Sequence, residues 1–171
     1  MADFDRAVKF VLANEGGFID HHVDEGGPTN YGITMGLLSK WRKGSVSSED
    51  VFQMPFHEAI DIYREVFWNV MMLYAVDDDD VATIVMDNAV NQGISIAAKR
   101  IQRIVHSRID GAIGPATARA INAFIPKIRL VHSFVKSCQL NYVRIVEEKP
   151  AQIAFLEGWI NRTHKYLDLV A

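Results

Sequence analysis

The 171-residue sequence predicts a mainly α protein, α+β only through one small β-hairpin near the N-terminus. Through most of the chain apolar residues recur at the three- and four-residue spacing of a helical face, in runs that open on a capping residue, an acid or a proline. The helical period disappears between Phe18 and Ile33, where Gly26, Gly27, Pro28 and Asn30 mark tight turns. No repeat or low-complexity segment calls for a solenoid or a disordered tail.

Taken in order, Asp3 caps a first helix whose Phe4, Ala7, Val8, Val11 and Leu12 share one face, and Gly16-Gly17 ends it. The irregular hairpin follows. Thr34 caps a second helix through Trp41, and a polar linker with Ser45, Ser47 and Ser48 leads to Pro55. Pro55 opens a helix presenting Phe56, Ala59, Ile60, Tyr63 and Phe67. Asp77 to Asp80 precede VATIVMDNAVNQG, where acids favour the positive end of a helix over any metal role. Further helices are expected at roughly 95–106, 115–124, 126–147 and 151–169, separated by Gly and Pro.

Composition narrows the function classes. With 49% hydrophobic and 23% charged residues and a formal charge of -3, the chain has no electrostatic footprint for nucleic acid. The lone Cys138 lies in the apolar run VHSFVKSCQL and reads as a buried thiol. Charges at Asp3, Asp5, Arg6 and Lys9 interrupt the N-terminus, so no secretory signal is visible. The apolar run VFWNVMMLYAV is shorter than the roughly 18 residues of a membrane span, so no membrane insertion is expected. Synthesis in the cytoplasm follows, and a substrate beyond it would require another protein to let this one out.

Among reactive groups, His57-Glu58 begins like a zinc helix motif, but the residue four positions after His57 is Asp61. His21 and His22, adjacent in an extended segment, would point to opposite faces. There is no phosphate-binding glycine loop and no nucleophile elbow, and neither metal nor cofactor is expected. What remains is NEGGFIDHHVDEGGPTNYGIT, residues 14 to 34. Glu15 ends an amphipathic helix beside two residues without a Cβ, where ligand and backbone can approach closely. The helix dipole and partial burial both favour its protonated form, as a glycosidic general acid requires. Asp24 can supply a second carboxylate, stabilising an oxocarbenium-like transition state or activating water, with Thr29 or Thr34 positioning that water.

EGGF followed by D-x-GG-x-TNYGIT resembles the N-terminal signature of glycoside hydrolase family 108, bacterial and phage muramidases of lysozyme-like, α-rich fold. AIDIYREVFW at 59–68, MDNAVNQG at 86–93, Ile101-Gln102, DGAIGPAT at 110–117 and FLEGWINR at 155–162 resemble later landmarks, including those of a peptidoglycan-binding C-terminal region. The resemblance implies a catalytic lobe over 1–93 and a helical peptidoglycan-binding-like region over 94–171, packed as one globule. It places the catalytic glutamate on Glu15, the second acid on Asp24 and a water-positioning threonine on Thr29, with Thr34 competing. Glu25 stands where the family commonly has proline, leaving either acid of the Asp24-Glu25 pair to face the cleft.

The resemblance further implies hydrolysis of the β-1,4 link between N-acetylmuramic acid and N-acetylglucosamine, on peptidoglycan strands in the periplasm. An endolysin of a phage or prophage, bacteriolytic and admitted by a separate holin-type protein, would fit. Asn91, one helical turn from Asp87, can bridge sugar hydroxyls or tie helices together. Trp159 and Tyr31 can stack on a sugar ring, whereas Trp68 reads as core. The loop DGAIGPAT is explained as a structural turn opening a helix at Pro115, or as part of a wall-binding module. A non-catalytic peptidoglycan-binding protein and a chitinase-like enzyme are the alternatives.

Overall fold

The computed structural model describes residues 1–15 and 28–170. Asp24, Glu25, His21, His22 and the two double glycines lie outside the described residues.

Helix α1 (Phe4–Asn14) starts at Asp3, whose carboxylate accepts hydrogen bonds from the backbone N–H groups of Asp5 and Arg6. Its stripe Phe4, Ala7, Val8 and Val11 is buried. The described part of the hairpin pairs β1 (Thr29–Asn30) with β2 (Ile33–Thr34), setting Thr29 opposite Thr34 and Asn30 opposite Ile33. The turn is Tyr31-Gly32, with φ of 50° and 75°, one residue beyond the last turn marker read from the sequence. Two positive φ values at a two-residue connection match the right-handed twist of the strands.

Thr34 caps α2 (Met35–Arg42), its hydroxyl accepting from the Leu37 N–H at 3.2 Å. The serine-rich linker is not irregular throughout: it contains α3 (Ser48–Phe52), opened by a reciprocal capping box between Ser47 and Asp50. Pro55 precedes α4 (Phe56–Ile62), which runs into a π-helical segment, Tyr63–Asn69, and a 3-10 turn, Leu73–Ala75. Then come α5 (Asp79–Gln92), α6 (Ile94–Ile104), α7 (Pro115–Ala123), α8 (Lys127–Glu148), a 3-10 turn at Pro150–Gln152 and α9 (Ile153–Asp168).

Helix α5 is central. Asp78 caps it by accepting from Val81 N–H, and every residue from Val81 to Ala89 is buried, as expected of a helix surrounded by others. It packs against α1, α6 and α8, and α9 lies along α8. The loop before α7 is held by Gln102: its amide donates to Asp110 Oδ1 at 2.8 Å and to the Ala112 carbonyl at 2.9 Å, and its oxygen accepts from Gly111 N–H. Trp68 is 3% exposed and meets Phe4 edge-on, and Cys138 is fully buried.

Candidate active site

Glu15 sits just past the last turn of α1, its backbone N–H closing that helix on Val11. Its side chain retains 20% exposure. Arg162, from the far end of the chain, donates through Nη2 to Glu15 Oε1 at 2.7 Å. The same guanidinium binds Asp87 with two parallel bonds, Nε to Oδ2 at 2.7 Å and Nη2 to Oδ1 at 2.8 Å. Such a forked pair fixes orientation as well as charge.

Asp87, with no exposed side-chain surface, also accepts from the Tyr166 hydroxyl at 2.5 Å and from the Asn14 amide at 3.2 Å. Lys165 donates to Asn14 Oδ1 at 2.6 Å. Burial alone would lower the pKa of Arg162, but the bonds and charges of Asp87 and Glu15 outweigh it and raise it further above the ordinary arginine value. The cation is permanent. Burial, then the Asp87 charge, holds the Tyr166 phenol neutral and far above its usual range.

Gly32 presses on Glu15 from the hairpin. A Cβ there would lie 2.6 Å from Glu15 Cγ and 2.6 Å from the Tyr63 hydroxyl, at a backbone φ of 75° that a side chain rarely adopts. Tyr63, from the π-helical segment, donates to the Tyr31 carbonyl at 2.7 Å and so fastens the turn. Its phenol is raised above its normal range by burial and then by the Glu15 charge. Three regions of sequence therefore converge on one carboxylate: the end of α1, the hairpin tip and α9.

Thr29 and Thr34 face each other across the hairpin, so their side chains share one face. Thr34 has the additional task of capping α2. Tyr31 is partly buried and packs edge-on against Phe56, with centroids 5.3 Å apart. Asn91 and Trp159 line one groove of about 460 Å³, together with Gln92, Asn141, Ile145 and Gln152. Trp159 stacks on Tyr142 at 5.2 Å and Phe155 at 6.1 Å, and Asn91 accepts from the Tyr142 hydroxyl at 3.4 Å.

This groove and the Glu15 cluster share two helices. On α5, Asp87 serves the cluster and Asn91, four residues on, the groove; on α9, Trp159 serves the groove and Arg162, three residues on, the cluster. Such pairs are about 6 Å apart on a helix surface. Of the other sequence candidates, Glu58 forms an ion pair with Arg42 at 2.6 Å. No group of three His, Cys, Asp or Glu among the described residues could hold a metal ion.

Sequence reasoning treated Asp87 only as a companion of Asn91 and did not single out Arg162, Tyr166, Tyr63, Asn14 or Gly32. A signal for the ion pair was present: an aspartate inside the apolar run VATIVMDNAV must find a cation if that run is buried.

The helical frame with its small hairpin has a lysozyme-like architecture, in which the Glu15 carboxyl lies between a helix end and the hairpin. The glycosyl hydrolase 108 family model matches residues 8–93, and a predicted peptidoglycan domain matches residues 96–164. The solved structure of Brucella abortus SagA is 30% identical over 97% of this chain and 92% of its own, with a TM-score of 0.85. No curated protein matches the chain. The chain belongs to the glycosyl hydrolase 108 family, and it is a glycoside hydrolase of peptidoglycan.

Proposed function

We propose that this enzyme is an N-acetylmuramidase that hydrolyses the β-1,4 bond between N-acetylmuramic acid and N-acetylglucosamine, with Glu15 as the general acid. The observation that carries the reading is the convergence of α1, the hairpin and α9 on the Glu15 carboxyl. In the cleaving step a protonated Glu15 gives its proton to the glycosidic oxygen as the C–O bond breaks, so the leaving sugar departs as an alcohol. Arg162, donating to Oε1, holds the carboxyl in position through the step.

Asp24 is the second acid in this mechanism, stabilising the developing positive charge or activating water, and Thr29 positions the water with Thr34 beside it. Asn91 and Trp159 hold sugars in the adjoining groove and Tyr31 holds one at the hairpin. The division into a catalytic lobe over 1–93 and a binding region over 94–171 belongs to the same reading, the two acting as one globule through the Glu15–Arg162 bond. No described helix is long and apolar enough to cross a membrane. The biological role we infer is that of a prophage-type, bacteriolytic endolysin admitted to the wall by a separate holin-type pore. Co-expression with a pore-forming protein should lyse cells that tolerate the enzyme alone.

The deciding experiment is Glu15→Gln, which preserves size but cannot donate the proton. Clearing of purified sacculi should fall by about 10²–10⁴ with unchanged circular dichroism, and the wild-type products should carry reducing N-acetylmuramic acid ends. Wild-type clearing by Glu15→Gln, or anhydro ends in the products, would overturn the mechanism.

A further inference from the structure

A second groove, of about 410 Å³, runs between α6 and α8 and is lined by Lys99, Arg100 and Arg103 from one helix and by Ser137, Leu140 and Arg144 from the other. It adjoins the first groove, with Ile96 and Asn141 lining both. Its lining contains four cations and no carboxylate, in a chain whose formal charge is -3.

Arg100 is 4% exposed. Its guanidinium is held by neutral groups alone: Nε donates to Ser137 Oγ at 3.3 Å, Nη2 to Gln92 Oε1 at 2.9 Å, and Nη1 to Asn88 Oδ1. The plane lies 5.6 Å from the Phe134 ring. Among the described residues no ion pair involves Arg100, Lys99 or Arg103, and Arg144 reaches Glu148 only at 3.7 Å with both side chains largely exposed. Buried charges are ordinarily paired because desolvation costs several kcal/mol per ion. Arg100 has its directional bonds satisfied and its charge uncompensated, next to a concave surface lined by three more cations.

We propose that this groove binds the free carboxylates of the peptide stems that peptidoglycan carries, while the glycan lies in the neighbouring groove. The proposal rests on peptidoglycan being the substrate. The polymer joins neutral amide-bearing sugars to short peptides with small apolar side chains and several carboxylates, and the two grooves divide along those lines. The first has Asn91, Gln92, Asn141 and Trp159, amides and a ring suited to sugars, and its two charged residues, Glu148 and Lys149, are of opposite sign. The second has the four cations, with exposed Ile96 and Leu140 (46% and 61%) placed to meet alanine methyl groups.

The probe is a fluorescent disaccharide-tetrapeptide, titrated against the full chain beside the same compound with its carboxylates amidated, with heparin as competitor. The charge-reversed double variant Lys99→Glu/Arg103→Glu alters groove-lining side chains outside the Arg100 network, and its melting temperature checks the fold. Amidation and the double variant should each weaken binding about tenfold, and added salt should weaken only the unmodified probe. Equal affinity of the amidated probe, or of the variant, overturns the proposal. So does heparin displacing the probe at equal concentration, which would mark a general polyanion site. Sacculus clearing by the wild type reads the enzymatic proposal separately: clearing without tetrapeptide binding sinks this inference alone, and tetrapeptide binding without clearing sinks only the other.

Discussion

Two arginines, Arg100 buried and Arg162 with 12% of its side chain exposed, flank the central helix and are treated in opposite ways. Arg162 meets Asp87, and Arg100 meets Asn88, adjacent residues that face different sides of α5. Arg162 has two carboxylates within 2.8 Å; Arg100 has amide oxygens and a hydroxyl. One side of α5 thus spends its cation internally, holding the Glu15 carboxyl in place. The other keeps its cation hydrogen-bonded but electrically available to a groove. The difference teaches that satisfying a buried charge's hydrogen bonds and neutralising it are separate acts, and that a single change from Asp to Asn on one helix divides an internal clamp from a binding surface.

Exchanging those two residues should break the contrast. Asp87→Asn strands a buried guanidinium on Glu15 alone and should cost about 3–5 kcal/mol, read as a shifted urea midpoint, with clearing activity lost in proportion to the misplacement of Glu15. The reciprocal Asn88→Asp gives Arg100 a carboxylate. It should change stability by less than about 2 kcal/mol, because Coulombic gain and desolvation nearly cancel, while weakening binding of the anionic probe. Equal destabilisation by the two variants would mean that the arginines are not differently paired in solution.

Gly32→Ala sharpens the Arg162 side. The positive φ and the 2.6 Å approach to Glu15 Cγ should together cost about 1–3 kcal/mol and lower kcat, with a smaller rise in KM, since the hairpin would move the acid and the Tyr31 sugar contact but not the groove of Asn91 and Trp159. A variant with wild-type kcat would show that Glu15 tolerates the shift.

The smallest effect is expected at a partly exposed pair that resembles neither arginine. The Arg42 hydrogen bond, against a smaller opposing effect of burial, holds the Glu58 carboxyl below its ordinary range. The Glu58 pKa is lower folded than unfolded, so the pair's stabilisation is present above the unfolded value of about 4.3 and is lost as pH falls through the folded one. Glu58→Gln should cost about 0.5 kcal/mol at pH 7 and nothing at pH 2. A difference that persists in acid would assign the effect to packing.

What was legible in the sequence was local. Asp3, Thr34 and Asp78 cap the helices they precede, because a capping side chain reaches only two or three residues along its own chain. The α3 helix was hidden by its serine-rich surroundings, although Ser47-x-x-Asp50 is itself a helix-start pattern. Tyr31 at φ 50° could not be read, since nothing nearby announces that Tyr63, 32 residues later, will bond its carbonyl. Glu15 stands out in the sequence by the glycines that follow it, but its ionic partner does not. The guanidinium that donates to its carboxyl lies 147 residues away in sequence, beyond the reach of any local pattern.

That separation has a consequence for how the enzyme comes into being. Glu15 is made early and Arg162, which bonds it, follows 147 residues later, and long-range contacts of this kind form late. Until α9 docks, the glutamate is an ordinary surface acid and the aspartate beneath it has no cation. A chain cut before α9 would lack the guanidinium that joins Glu15 to Asp87, so it is the docking of that helix that completes the cluster.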